Sequence, residues 1–355
     1  MQEEARWGES TPWSVGAEEE LMLVDADTLV LAPRSPEIVA AAEAELGPGR
    51  IKTELFACVV ESNTGICGSA DEAVTRLREL RAVAARLAEE RGLRVFAAGA
   101  HPIGRPEEQE IVAEERYLAF VEYAGVSARR QGVNGLHVHV GMPDAETCFR
   151  ALEAVLPWLP VVLALSANSP YLAGAETGLA SNRAEILAQL PRSGAPPAFR
   201  DYEEWVAFVD RLVGLGVIPD YTMLWWDIRP HPRFGTLEVR MPDQPTDPAA
   251  SANLVALVRA LCVAAAEGEA PRYDPPARAL YQQNRWAALR AGLDAVLVHP
   301  DGDRMAPARE LARELSARFG VSLDVDRTEA EEQLAIGRAD GLEALTAVLV
   351  ERTLR

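Results

Sequence analysis

The chain has 355 residues, which allows one large domain or two average ones. Hydrophobic residues make up 48% and charged residues 25%, as in a globular enzyme with a sizeable core. The formal net charge of −19 disfavours nucleic acid and anionic membranes as partners, although metal ions and arginines in a cleft can still bind an anionic substrate.

The cysteines are few and widely spaced, at Cys58, Cys67, Cys148 and Cys262. No Cys-x-x-Cys occurs, so we expect four buried, reduced thiols. The first 13 residues are charged and lack the apolar segment of a signal peptide. The longest apolar run, Val155–Leu165, contains Pro157 and Pro160 and is predicted to be too short to span a bilayer. We therefore expect a cytoplasmic protein with no membrane partner.

The predicted elements mix strands and helices. In the first half they are strands over Ser14–Asp25 and Ile51–Ser62, a helix capped by Ser69, a strand over Leu93–Ala100, a helix over Glu114–Glu122 and a strand over Leu136–Val140. In the second half they are buried helix over 146–166, an amphipathic helix over Asp201–Leu215, strands over Met223–Arg229 and Thr236–Met241, and an apolar helix over Ala249–Glu267. Without strict βαβ alternation, this order favours an α+β fold with an antiparallel sheet. We expect residues 1–355 to form a single domain, mostly helical from about residue 277.

Polar residues spaced two apart occur in four of these strand segments. Side chains alternate along a strand, so residues two apart share a face. The four sets are Glu18 with Glu20; His137 with His139; Thr236 with Glu238 and Arg240; and Trp225 with Asp227 and Arg229. In the His137, Glu238 and Asp227 segments, apolar residues alternate with the polar set and would pack on the core. The polar faces could then line one cleft.

The residue types on these faces point to metal and anion chemistry. Carboxylates suit Mg²⁺, which also binds substrate phosphates, and arginine binds phosphate or carboxylate through its planar fork. Two other interpretations stay open at this point. The faces could be solvated exteriors of ordinary strands, or His137 and His139 could hold zinc, although no His-Glu-x-x-His or cysteine partner supports zinc.

Two further carboxylates lie in the second predicted strand. Glu54 and Glu61 are seven residues apart, so a regular strand would place them on opposite faces and only one would join the site. Glu61 is the better candidate. No P-loop, dinucleotide-binding glycine motif or Gly-x-Ser-x-Gly is present, so spacing alone does not indicate ATP.

The motifs around these residues resemble, together and in order, the type 2 glutamate–cysteine ligases, also called carboxylate–amine ligases. The matching stretches are Val15–Val24, Val60–Thr64, Ala98–Pro102, Glu115–Tyr117, Gly135–Gly141, Leu165–Tyr171, Leu179–Arg183, Trp226–Pro230, Phe234–Arg240 and Asn284–Trp286. Each stretch alone is weak, but the ordered set is specific.

The resemblance implies a glutamine-synthetase-like fold, in which an antiparallel sheet forms a funnel flanked by helices. It also implies ATP-dependent joining of glutamate and cysteine through a γ-glutamyl phosphate. The residues it implies as metal ligands are Glu18, Glu20, Glu61, His137 and Glu238, with Mg²⁺ as the ion and Mn²⁺ as an alternative. Arg240 would steady the transferring phosphoryl group, and Glu238 and Arg240 would form the catalytic pair. The ATP or substrate contacts would be Asn182, Arg183, Asp227, Arg229, Arg240 and His139.

Several alternatives remain open on the sequence. A ligase of the same fold could join another carboxylate and amine, in a peptide or natural-product pathway. A binding protein could retain the fold without activity, although the intact set Glu18, Glu20, Glu238 and Arg240 argues against it. The resemblance suggests a homodimer, which composition does not decide.

Overall fold

The computed structural model describes residues 5–268 and 273–355. The strands are β1 Val15–Asp25, β2 Ile51–Thr53, β3 Val59–Asn63, β4 Leu93–Phe96, β5 Leu136–Gly141, β6 Tyr171–Leu172, β7 Ala175–Glu176, β8 Ser193–Gly194, β9 Trp225–Trp226, β10 Ile228–His231, β11 Thr236–Val239, β12 Val296–Val298 and β13 Met305–Pro307. The helices are α1 Ser35–Leu46, α2 Ala70–Glu89, α3 Glu115–Ala124, α4 Val126–Arg129, α5 Ala145–Val155, α6 Leu159–Ser166, α7 Asn182–Leu187, α8 Tyr202–Gly214, α9 Pro248–Glu267, α10 Ala277–Ala291, α11 Ala308–Phe319, α12 Glu329–Asp340 and α13 Leu342–Arg352.

Within the described residues, seven strands form one antiparallel sheet. Its order is β10-β11-β5-β1-β3-β2, and β4 pairs with the far end of β1. The long strand β1 is its spine, because it pairs with β5 through its first half and with β3 and β4 through the rest. The predicted α+β fold with an antiparallel sheet flanked by helices is therefore confirmed.

One face of the sheet packs on helices. Apolar side chains that alternate along β1, β5 and β11, including Ala17, Val138 and Val239, join one hydrophobic core with α5, α6 and α9. Burial of this face leaves the opposite face of the same strands to carry the polar side chains. The alternation read from the sequence thus separates a core face from a cleft face.

The predicted helix at Ser69 is confirmed. The Ser69 side chain accepts the backbone N–H of Glu72 at 3.1 Å and caps α2. Helix α2 packs against α9 and β1, and it brings Arg81 beneath the sheet. The four cysteines are also free and buried, as predicted.

Two predicted strands need correction. Ile51–Ser62 is not one strand but a hairpin of β2 and β3 around residues 54–58. Met223–Arg229 divides into a 3₁₀ turn, the short strand β9 and the edge strand β10, which runs through Pro230. Proline fits there because an edge strand leaves one side of its backbone without ladder hydrogen bonds.

The buried helix predicted over 146–166 is confirmed, and it continues through Pro157 and Pro160. Helix α5, a 3₁₀ turn and α6 form one helical stretch, Ala145–Ser166, because both prolines lie at the first turn of their helical segment. This stretch and α9 are long and apolar enough for a membrane span by length and composition alone. Core helices satisfy the same test, and 67% of the first apolar window is buried inside the protein, against 44% for α9.

Candidate active site

The cleft face of the sheet carries charged side chains on six neighbouring strands. At the β10 end, Arg229 lies opposite Glu238, and Glu238 lies opposite His139 on β5. Arg229 donates from Nε to Oε2 of Glu238 at 2.6 Å, and Arg240 donates from Nη1 to the other oxygen. Burial alone would raise the pKa of Glu238, but the two guanidiniums outweigh it and hold this pKa well below its usual value. Glu238 is therefore a buried carboxylate clamped by two arginines.

The centre of the face is built from β1 and β5. Glu18 lies opposite His137, whose Nδ1 is 3.5 Å from Oε2 of Glu18, and Nε2 of His139 is 3.7 Å from the same oxygen. Burial opposes ionisation of Glu18, yet the two imidazoles outweigh it and keep its pKa well below the usual value. Burial lowers the pKa of His137 to about 4, so this ring is neutral at physiological pH and keeps a free lone pair.

The β3 side of the face is richer in carboxylates. Glu20 lies opposite Glu61 across β1 and β3. Glu20 accepts the backbone N–H of Gly135 at 2.5 Å, but burial dominates and raises its pKa. Within residues 5–268 and 273–355, no three His, Cys, Asp or Glu side chains already stand as a metal-binding cluster. Neighbouring cations pair with two of the carboxylates, Lys52 with Glu61 and Arg229 with Glu238.

Glu54 also faces this site, which the sequence analysis missed. The prediction that only one of Glu54 and Glu61 could join the cleft assumed a single strand, whereas the chain turns back between them. Burial, followed by the charges of Glu61 and Glu20, raises the pKa of Glu54 well above its usual value. Four glutamates therefore lie close enough to repel one another, and such a group fits a divalent cation with oxygen ligands.

Lys52 is a second residue that the sequence analysis missed. It lies on β2 directly opposite Glu61, and its Nζ is 2.6 Å from Oε1 of Glu61. Burial lowers the pKa of Lys52, but the charges of Glu61 and Glu18 outweigh it, so the pKa is raised. A signal was present in the sequence, because Lys52 is the only lysine in the chain.

Arg183 enters the cleft from the start of α7. Its guanidinium donates to the backbone carbonyls of Met241 and Arg240 at 3.0 and 3.1 Å, while its Nε has no hydrogen-bond partner among the described residues. It passes directly over Gly135, where a Cβ would stand 2.0 Å from Nη2. A glycine is thus required at 135 if Arg183 is to reach the cleft.

Two asparagines near Arg183 also carry unpaired donors. Nδ2 of Asn134 and Nδ2 of Asn182 have no hydrogen-bond partner among the described residues, and both side chains are buried. Only Asn134 lines the cavity beside Arg183. Buried donors of this kind are costly unless a ligand or water satisfies them, so they mark a polar binding surface.

The predicted shared face of Trp225, Asp227 and Arg229 is wrong for Asp227. Its Oδ2 accepts from the Tyr281 hydroxyl at 2.6 Å and from Arg285 Nε at 2.8 Å, both on α10. The alternation breaks because the backbone N–H of Asp227 bonds to the carbonyl of Gly194 on β8. Asp227 is not among the residues that line the two cavities of the cleft, and its carboxylate ties β10 to α10.

Two cavities open on the cleft face and divide its residues. The Phe234 cavity, about 400 Å³, is lined by Arg6, Glu9, Ser10, Ser14, Val15, Gly16, Ala17, Glu18, Asn63, Gly65, Ile66, His139, Gly141, Arg233, Phe234 and Thr236. The Arg183 cavity, about 390 Å³, includes Glu20, Glu54, Arg116, Tyr117, Phe120, Asn134, His137, Arg183, Met223, Trp225, Arg229 and Arg240. Glu18 and Glu20, two residues apart on β1, face one cavity each. A further cavity of about 480 Å³, beside Asp247 and Glu329, contains none of the predicted site residues.

The cavities differ in chemistry. Most residues that line the Phe234 cavity are apolar residues, glycines, or serine and threonine. The Phe234 ring stacks on the His231 ring with a centroid distance of 4.1 Å, and Phe234 is 55% exposed. The Arg183 cavity combines arginines and carboxylates with an aromatic pair, Phe120 and Trp225, whose ring centroids are 5.4 Å apart. The first suits a flat ring system, and the second suits small zwitterions.

Comparison with known proteins identifies a family. Residues 14–350 match glutamate-cysteine ligase family 2. A Rubrobacter xylanophilus protein, provisionally designated glutamate–cysteine ligase 2-3, is 44% identical over 352 residues, which cover 98% of this chain and 95% of that protein. The glutamate–cysteine ligase of Natronomonas pharaonis is 36% identical over 352 residues, covering 95% and 94%.

Among solved structures, the glutamate–cysteine ligase of Francisella tularensis in complex with AMP superposes with a TM-score of 0.70 at 14% identity, covering 97% of this chain and 90% of that one. A bifunctional glutathione synthetase from Pasteurella multocida gives 0.66 at 14% identity, covering 96% and 51%. These likenesses confirm the predicted glutamine-synthetase-like fold. The chain belongs to glutamate-cysteine ligase family 2 and is an ATP-dependent ligase.

Proposed function

We propose that the chain uses ATP to activate the γ-carboxylate of L-glutamate and joins it to the amino group of L-cysteine. The products are γ-glutamylcysteine, ADP and phosphate. The observation that carries this proposal is a single cleft in which a glutamate cluster faces arginines and unpaired donors. The name of the Natronomonas pharaonis relative supports the substrates, and the AMP complex of the Francisella tularensis enzyme supports the nucleotide.

The nucleotide is assigned to the Phe234 cavity. An exposed aromatic ring and Ile66 offer apolar surface for a purine, and glycine-lined backbone allows close approach. His139 and Glu18 form the inner wall, toward the carboxylate cluster. The phosphates would then extend toward Arg240 in the Arg183 cavity.

The amino acids are assigned to the Arg183 cavity. Arg183 Nε and Asn134 Nδ2 are free donors, and two such groups suit a substrate carboxylate. Glu20 and Glu54 line the same cavity, where carboxylates would favour an ammonium group. Arg229 is held by Glu238 and by the carbonyls of Thr222 and Leu224, so it orients Glu238 more than it binds ligand.

Mg²⁺, with Mn²⁺ as an alternative, would be held by carboxylates and one imidazole. The proposed set is Glu18, Glu20, Glu54, Glu61, His137 and Glu238. The chemistry of the donors fits, because several buried glutamates lie together and the His137 ring is neutral. Such an ion supplies charge neutralisation at phosphate oxygens when bound.

Catalysis would depend on position and charge. An oxygen of the γ-carboxylate attacks the γ-phosphorus of ATP and ADP leaves, which yields an acyl phosphate. The neutral amine nitrogen then attacks the acyl carbon, phosphate departs with the former carboxylate oxygen, and the nitrogen releases a proton to solvent. Arg240, fixed by Glu238 and partly exposed, would neutralise negative charge on the phosphoryl group in transfer.

A phosphate-release assay tests this proposal. ATP, Mg²⁺ and glutamate are supplied with each amino acid in turn, and Glu238→Gln serves as the inactive control. We expect release that depends on both glutamate and cysteine. Release with another acceptor would establish the alternative ligase of the same fold. No release with any pair would favour a binding protein that retained the fold.

The remaining assignments are predictions from the sequence and the family. They are a cytoplasmic location, a single domain over residues 1–355 and a homodimer. Small-molecule substrates, rather than nucleic acid or membrane, are the partners proposed for the cleft.

A further inference from the structure

The basic residues of this chain are almost all arginine. Of 35 lysines and arginines, 34 are arginine and one is lysine, Lys52. The other basic groups at the cleft face, including Arg183, Arg229 and Arg240, are arginines. An ammonium at position 52 is therefore a departure from the composition of the whole chain, and it stands against the carboxylate cluster.

The position of Lys52 makes its ammonium the cation of that cluster. It pairs with Glu61 at 2.6 Å, and that oxygen has no other hydrogen-bond partner in the described part of the chain. Glu18 and Glu54 are the next carboxylates whose charges act on it. Its side chain is 39% exposed, so it can leave Glu61 for solvent without unfolding β2.

We propose that Lys52 is a resident counter-cation, a positioning residue that neutralises the carboxylate cluster when no divalent ion is bound and competes with that ion for Glu61. This inference rests on the proposed function, because it uses the same glutamates as the proposed metal site. Without a cation, neighbouring buried carboxylates would repel and drift apart. With Lys52 in place they stay gathered, and binding of the ion displaces the ammonium from Glu61.

The chemistry of lysine suits this exchange better than that of arginine. An ammonium on a flexible four-carbon stem makes a single-point pair that can be released. A guanidinium forms a planar, two-point pair with a carboxylate and is held more firmly. In the same cleft, the guanidiniums of Arg229 and Arg240 hold Glu238 in a permanent clamp. Lys52, the single lysine of the chain, therefore lies at the position where the divalent ion has to displace the cation.

The test is calorimetric titration of the whole protein with Mn²⁺, in wild type, Lys52→Met and Lys52→Arg. We expect Lys52→Met to bind Mn²⁺ about tenfold more tightly than wild type, and Lys52→Arg to bind it more weakly, by a factor in keeping with a partly exposed ion pair. Arg338→Met is the matched control. It removes one positive charge from an exposed pair with Glu176, outside the cavities, and should leave Mn²⁺ affinity unchanged.

A second measurement needs no variant. An acetylating reagent is applied to wild type, and peptide mass spectrometry separates the Lys52 amine from the α-amino group. Because there is no other lysine, the rate at Lys52 is read without interference. We expect Mn²⁺ to raise this rate severalfold, since the ammonium is released from Glu61. An unchanged or slower rate would overturn the proposal.

The titration distinguishes failure of the Lys52 role from failure of the metal site. If wild type binds Mn²⁺ but the three proteins bind it equally, or Lys52→Met binds it more weakly, the role of Lys52 is overturned and the metal site stands. If wild type binds no Mn²⁺, both the metal site and the role of Lys52 are overturned.

Discussion

Glu18, Glu19 and Glu20 are consecutive on β1, but the Glu19 side chain lies on the opposite face of the sheet from the other two. Glu19 points to the helix side of the sheet and is fully buried with Arg81, which donates to both its oxygens at 2.8 and 2.6 Å. Ser251 and Gln244 complete the set of donors at 2.6 and 3.0 Å. Every oxygen of Glu19 is satisfied within the protein.

Glu18 and Glu20 face the cleft and are satisfied less completely. Glu18 has imidazoles at 3.5 and 3.7 Å and one amide donor from Asn63, and Glu20 has a backbone N–H and a raised pKa. Residue type therefore does not decide the role of a buried carboxylate. A carboxylate whose oxygens are all hydrogen-bonded within the protein, such as Glu19, stabilises the fold. Carboxylates with too few donors, such as Glu18 and Glu20, lower stability but can still bind a ligand.

The largest expected effect lies on the cleft face. Glu238→Gln or Arg240→Ala should lower ATP turnover at least about 10³-fold, the scale of losing an arginine that stabilises a transferring phosphoryl group. Circular dichroism and thermal unfolding should show a folded protein. Near-normal turnover in either variant would remove these residues from the catalytic assignment.

A substitution on the helix side of the sheet should lower stability rather than turnover. Arg81→Met leaves Glu19 buried without its cation and should lower the free energy of unfolding by about 3–5 kcal/mol, measured by urea titration. Arg86→Met, on the same helix but in an exposed pair with Glu45, should cost less than about 1 kcal/mol. Equal losses in the two variants would contradict the contrast between a closed buried pair and a surface pair.

The nucleotide assignment predicts a smaller effect at Phe234. Phe234→Ala removes a stacking surface and should raise KM for ATP roughly tenfold, as expected for loss of one base–ring contact. Phe234→Tyr keeps the ring and should restore KM. If KM for glutamate rises instead, while KM for ATP stays constant, the assignment of the two cavities must be exchanged.

The smallest effect concerns stability at Glu20. Burial raises the folded pKa of Glu20, so its favourable contribution is present below the unfolded pKa and is lost as pH rises through the folded one. Glu20→Gln should therefore stabilise the metal-free protein by about 1 kcal/mol at pH 8, with the gain shrinking toward pH 4. A loss of stability at pH 8, measured by thermal unfolding without metal, would contradict an open cluster.

The cleft face could be predicted where it depends on local alternation. In β1, β5 and β11 the period of two places Glu18, Glu20, His137 and Glu238 on one face without knowledge of the tertiary fold. Arg240 follows from the same pattern. These strands are regular, so spacing along the chain translates directly into direction.

The prediction failed where distant segments redirect the chain. Residues 54–58 contain no glycine or proline to signal the hairpin that brings Glu54 beside Glu61. Asp227 is turned away by a backbone hydrogen bond to Gly194 and by side chains of α10, contacts that no local pattern encodes. Lys52 was visible as the single lysine, but its partner could be known only from the β2–β3 register.

The most direct test of the central claim is oxygen transfer. Wild type is given glutamate labelled with ¹⁸O in its γ-carboxylate, ATP, Mg²⁺ and cysteine, and the released phosphate is analysed by mass spectrometry. Activation through an acyl phosphate predicts one ¹⁸O atom in each phosphate, and Glu238→Gln should release almost none. Phosphate released without ¹⁸O would contradict the claim that this cleft phosphorylates a carboxylate.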